Sequence, residues 1–73
     1  MDTYVVLYRN EQSKKWDLDN RVTFSTKREA SVYRKELIAV LNSNSIGHCF
    51  SAKVVTYDRW LYINAKQMEN SKQ

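Results

Sequence analysis

No proline occurs in these 73 residues, glycine and cysteine occur once each, and no apolar run exceeds five residues. Each scarcity excludes something. Cys49 has no second cysteine to pair with, so the chain is not held by an internal disulfide. With Gly47 alone there is no glycine-rich loop to cradle a phosphate. One cysteine and one histidine fall short of the four ligands of a structural zinc site. His48 and Cys49 are also adjacent, and neighbours in an extended chain point to opposite sides, so they form no nucleophilic dyad. Cys49 is expected as a small core residue and His48 as a loop residue. The opening MDTYVVLYRN is too short in apolar residues for a signal peptide or a membrane span, and the expectation is a cytoplasmic protein without membrane contact.

What is present is charge and aromatic surface. Twelve basic against eight acidic residues give a net charge of +4, which favours anionic partners. Five Tyr, two Trp and two Phe are a large aromatic share for a chain this short. A hydrophobic fraction of 42% with 27% charged residues marks a globular domain. At this size only about 60% of the unfolded surface is buried, so the core is thin.

The longest periodic stretch is Phe24 to Leu41. Thr26 and Glu29 have capping-box spacing, which predicts a hydroxyl-to-amide bond onto Glu29 and a carboxylate reaching back to the Thr26 amide. At 100° per residue Ala30, Tyr33, Leu37, Val40 and Leu41 form one apolar stripe. Lys27, Arg28, Ser31, Arg34 and Lys35 fall on one flank and Glu29 and Glu36 on the other, with Asn42-Ser43-Asn44 expected to end the helix.

The remainder reads as strand. Tyr4 to Arg9 is β-branched and aromatic with both faces apolar, which predicts a central strand. After the polar connection from Asn10 to Lys15, Trp16 to Asp19 alternates, with Trp16 and Leu18 inward and Asp17 and Asp19 outward. Val22 and Phe24 suit a short third strand. Ser43 to His48 is the loop that turns the chain back. Cys49 to Tyr57 and Trp60 to Ala65 suggest a hairpin about Asp58-Arg59, a dipeptide that is not a favoured two-residue turn. The fold class is therefore α+β, ordered β-β-(β)-α-β-β, a mostly antiparallel sheet with one helix on one face. Residues 1–65 form the single domain and 66–73 a flexible tail.

One helix covers one face only. If Val5, Leu7, Trp16, Leu18, Phe24, Phe50, Val54, Leu61 and Ile63 fill the layer beneath it, then Tyr4, Val6, Tyr8, Val55, Tyr57, Trp60 and Tyr62 stand on the opposite face, with Arg9 and Lys53 nearby. Such a patch would cover several hundred Å², roughly the size that marks an interaction site. Its candidate binding residues are Tyr4, Tyr8, Arg9, Lys53, Tyr57, Trp60 and Tyr62. Three readings compete for it: the tail and loops partly fill the face with the Tyr hydroxyls wet at its edges, a protein interface forms there, or bases of single-stranded nucleic acid stack on it. Lys27, Arg28, Arg34 and Lys35 suit contact with phosphates better than readout of bases, with Lys14, Lys15 and Arg21 as possible neighbours.

Asp17 and Asp19 have the pairing of a magnesium site, but no third carboxylate, lysine or histidine accompanies them. No catalytic residue, metal, cofactor or small-molecule substrate is indicated. The leading expectation is a non-enzymatic module contacting nucleic acid. The alternative is a protein-interaction module: a homodimer through the aromatic face, or a small regulator of the kind mobile elements encode, binding and inhibiting a host protein.

Trp16 followed by Phe24-Ser25-Thr26-Lys27-Arg28-Glu29-Ala30 resembles the strand-to-helix junction, F-x-T-K-x-E-A, of the small arm-binding domains that precede phage integrases. The likeness spans about fifteen residues, and two further strands after the helix depart from that family's pattern. It implies a sheet whose first strands, rather than its helix, enter the DNA major groove.

Overall fold

The computed structural model describes residues 2–44 and 49–70. Gly47 and His48, expected in the returning loop, lie outside the described residues, as does the end of the expected tail, 71–73. The elements are β1 (Tyr4–Asn10), β2 (Asp17–Leu18), α1 (Lys27–Asn44), β3 (Phe50–Thr56) and α2 (Tyr57–Asn70). They form an α+β domain around a three-stranded antiparallel sheet of order β2-β1-β3.

β1 is central, as its two apolar faces require. Val5, Val6 and Leu7 are at most 1% exposed, and alternation sends Val6 to one side and Val5 and Leu7 to the other. Burying each is worth roughly 1.5–3 kcal/mol. The assignment of faces is the reverse of that expected. Val6, Ala30 and Leu37 make the buried cluster under α1, with Tyr4, Tyr8, Phe24, Tyr33, Leu41, Ala52 and Val54 packed around it. Tyr4 and Tyr8 therefore lie beneath a helix rather than on a bare face. The sheet cannot distinguish its faces by β1 alone, because both are equally apolar; the small Ala30 decides, by letting α1 approach Val6 closely.

α1 begins where the capping box puts it. The Glu29 N–H donates to Thr26 Oγ1 (3.2 Å), while the Thr26 hydroxyl donates to the Glu29 carboxylate (2.9 Å) instead of the carboxylate reaching the Thr26 amide. The helix passes through Asn42 to Asn44 rather than stopping before them. The Asn42 side chain is engaged with β3: its Oδ1 accepts the Phe50 N–H at 2.9 Å. Val40, expected in the buried stripe, is 54% exposed.

The expected hairpin is corrected most. Residues 57–70 are helix α2, so among the described residues the order is β-β-α-β-α with two helices. Thr56 closes β3 and caps α2, accepting the Arg59 N–H at 3.3 Å, and Asp58 adds an acid to the first turn. Trp60, Ile63, Asn64 and Gln67 follow at helical spacing and are half-buried. Lys66–Asn70, read as tail, is the last part of this helix. α2 touches both β1 and β3, and Gln67 reaches Trp16 beyond them; this covers Val5 and Leu7 on the face opposite α1.

The short β2 and the chain after it fasten the other side of β1. Asp19 N–H donates to the Val6 carbonyl (3.0 Å), and Tyr4 and Phe24 exchange both backbone bonds (2.8 and 2.9 Å). The expected third strand is reduced to this single bridge. Asp19, expected outward, is 4% exposed, and Cys49, expected in the core, is exposed. Among the described residues, no helix is long and apolar enough to cross a membrane.

Candidate interaction surface: the open edge of β3 and the basic flank of α1

The backbone of β3 divides its hydrogen-bonding groups between two directions. The Tyr57 N–H donates to the Thr3 carbonyl (2.8 Å), and the Glu11 N–H to the Cys49 carbonyl (2.9 Å). In an antiparallel ladder these bonds recur at alternate residues, so Ser51, Lys53 and Val55 point their amides and carbonyls at β1. Phe50, Ala52, Val54 and Thr56 then point theirs away from the sheet. The Phe50 amide is satisfied by Asn42. Among the described residues the outward groups of Ala52 and Val54 face no strand, because β3 ends the order β2-β1-β3.

Sheet edges are usually blunted by a proline, a bulge, a charged side chain pointing outward or inward, or a covering helix or loop. β3 has no proline and pairs with β1 in unbroken register over seven residues. Its one charged residue, Lys53, is folded inward, with Nζ 4.4 Å from the centre of the Trp16 ring. Among the described residues the devices on this edge are Lys53 and the Asn42 side chain over the Phe50 amide, and the outward backbone groups of Ala52 and Val54 are left open.

α1 lies above it in a fixed rotational setting. Ala30 and Leu37 face the sheet, and Tyr33 points toward the β2 side, where its hydroxyl donates to Asp19 and its ring meets Phe24 at 5.4 Å between centroids. At 100° per residue Lys27 and Arg34 fall on the opposite flank, toward β3, with Ser31 and Ile38; Arg28 and Lys35 point up, away from the sheet. Glu29, Glu36 and Val40 take the β2 side. Among the described residues the ion pairs are Arg21–Asp19 and Lys66–Glu69, so Lys27, Arg28, Arg34 and Lys35 have no carboxylate within 4.0 Å.

The setting depends on a polar pin. The Asp19 carboxylate accepts the Arg21 backbone N–H (3.2 Å), Arg21 Nε and Nη2 (3.0 Å each), and the Tyr33 hydroxyl. The Arg21 hydrogen bonds hold the Asp19 pKa down at about 2 against the opposing effect of burial, with Tyr33 helping. Donation to Asp19 pushes the Tyr33 hydroxyl up, and the same carboxylate raises Arg21. This cluster ties the 19–24 segment to α1 and is satisfied internally, which assigns it to architecture. Asp17 and Asp19 do not act together: Asp17 is exposed while Asp19 is buried in the pin.

The residues expected to share one aromatic face are therefore dispersed. Tyr4 and Tyr8 are under α1, while Tyr57, Trp60 and Tyr62 are on α2. Arg9 and Lys53 flank Trp16, the Arg9 guanidinium 4.8 Å from the ring centre, on the α2 side of the sheet. Tyr62 lies on the α2 surface between Arg59 and Lys66, at 5.1 and 5.8 Å. The four cations of the α1 flank do share one element. What the sequence reading missed is the β3 edge; the signal for it is the absence of a further strand once 57–70 is seen as a helix.

Comparison with family models, with curated proteins and with solved structures finds no match to this chain. The junction that resembles integrase arm-binding domains thus stands on its own residues. Its implied strand-to-groove contact also meets a sheet with a helix on each face.

Proposed function

We propose that this protein is a non-enzymatic protein-interaction module that accepts an extended segment of another polypeptide beside β3. The observation that carries the reading is the open stretch of the β3 edge at Ala52 and Val54. Outward amide and carbonyl groups at Ala52 and Val54 are completed by a polypeptide backbone and not by a nucleic acid. Among the described residues the expected aromatic sheet face is not assembled, because Tyr4 and Tyr8 lie under α1 and Tyr57, Trp60 and Tyr62 are on α2.

The test is selection of displayed random peptides on the protein and on Ala52→Pro. Proline at 52 removes an outward amide without removing a bond to β1. Peptides enriched on the first and lost on the second support strand addition; peptides kept equally by both contradict it.

One observation favours a second reading, nucleic-acid contact through α1. Lys27 and Arg28 occupy the first helical turn, where the macrodipole disfavours cations by about 0.3–1 kcal/mol each, and among the described residues no carboxylate pairs with them. A labelled oligonucleotide titrated at two salt concentrations tests it, because phosphate contacts release counterions and give a steep salt dependence.

A further inference from the structure

We infer that the segment taken up at β3 is acidic at alternate positions, its carboxylates lying under the basic flank of α1 and its other side chains on the α2 side. The inference rests on strand addition as the mode of binding and names the chemistry of the partner.

The geometry follows from two periodicities. In β3 Ala52 and Val54 turn their side chains to the α1 face, where they join the cluster around Val6. A strand added alongside continues the same pleat, so every second residue of it points to the α1 side. On that side the flank of α1 leaning toward β3 carries Lys27 and Arg34, with Arg28 and Lys35 above. The acids of α1, Glu29 and Glu36, are on the far flank, and none of the four cations has a carboxylate within 4.0 Å among the described residues. The added strand's other residues would face the side where Lys53 is occupied with Trp16, so no free cation of β3 selects charge there.

A second copy of this chain is a poor occupant. Pairing β3 with β3 would set two α1 basic flanks side by side, each on a chain of net charge +4. Like charges also oppose each other across such a junction. A different, acidic chain meets neither obstacle.

The test uses three fluorescent peptides on the whole protein: an eight-residue Glu-Val alternation, the same length of Gln-Val, and the Glu-Val peptide N-methylated at alternate residues. The expected result is at least tenfold tighter binding of Glu-Val than of either control, reduced severalfold by Lys27→Ala with Arg34→Ala. Equal binding of Glu-Val and Gln-Val would overturn the acidic selection while leaving strand addition standing. Binding unaffected by N-methylation would overturn strand addition itself, reducing the contact to charge. Absence of binding by all three removes both. Displacement of Glu-Val by an equal concentration of single-stranded oligonucleotide would assign the flank to nucleic acid and overturn the proposal. The N-methylated peptide leaves the protein unaltered, so the result does not depend on a variant folding.

Discussion

Gln67 holds the backbone of Trp16 at both ends of one peptide group pair: its Oε1 accepts the Trp16 N–H, and its Nε2 donates to the Trp16 carbonyl at 3.1 Å. These residues are separated by 51 positions, and the pair of bonds ties the far end of α2 to the strand side of the sheet. Removing the amide in Gln67→Ala leaves two part-buried backbone groups without their partner. The expected cost is roughly 1–3 kcal/mol, read as a lower midpoint in urea.

The Asp19 pin gives stability a pH dependence of known sign. Its folded pKa, about 2, lies below the ordinary aspartate value of 3.8, so its contribution is present above about pH 4 and is lost as pH falls from there to 2 and below. The contribution is roughly 1–2 kcal/mol, allowing for the solvent exposure of Arg21. Denaturant midpoints measured from pH 6 down to pH 2 are expected to fall through this window. Asp19→Asn, already destabilised at pH 6, is expected to lose less over the same range.

Tyr33→Phe removes one donor to the same carboxylate while keeping the ring against Phe24. A loss of about 1 kcal/mol is expected at neutral pH, with the Asp19 pKa moving up toward the ordinary carboxylate value. NMR titration of the carboxyl carbon reads the second effect directly.

Thr56 serves two elements, ending β3 and capping α2. Thr56→Ala is expected to cost about 1 kcal/mol, with Thr56→Ser close to neutral. Fraying of the first turn of α2 is expected to appear as faster amide exchange at Arg59.

Much of the fold was legible, and the part that was not has a definite cause. Tyr4 to Arg9 announced a central strand because both faces are apolar, and Thr26 with Glu29 announced the start of α1. Trp60 to Ile63 was ambiguous because WLYI is an unbroken apolar run, equally compatible with a buried strand and with a helix. The resolving signs were subtler: the weak turn dipeptide Asp58-Arg59, the cap at Thr56, and the row Trp60, Ile63, Asn64, Gln67. Half of that row is polar, so hydrophobicity alone does not reveal it. Once α2 replaces the expected last strand, Trp60 to Ala65, and the expected tail, the aromatic face is gone and the β3 edge is open. The candidate surface was thus half readable: the cations of α1 and the strand beneath them were, and the place of that strand at the sheet edge was not.

Amide hydrogen exchange at Ala52 and Val54, with and without the Glu-Val peptide, tests the central claim most directly. In the free protein both amides are expected to exchange much faster than those of Ser51, Lys53 and Val55, and saturation with peptide is expected to slow both by at least tenfold. Protection of Ala52 and Val54 in the free protein, or unchanged rapid exchange when the peptide is bound, would contradict the account.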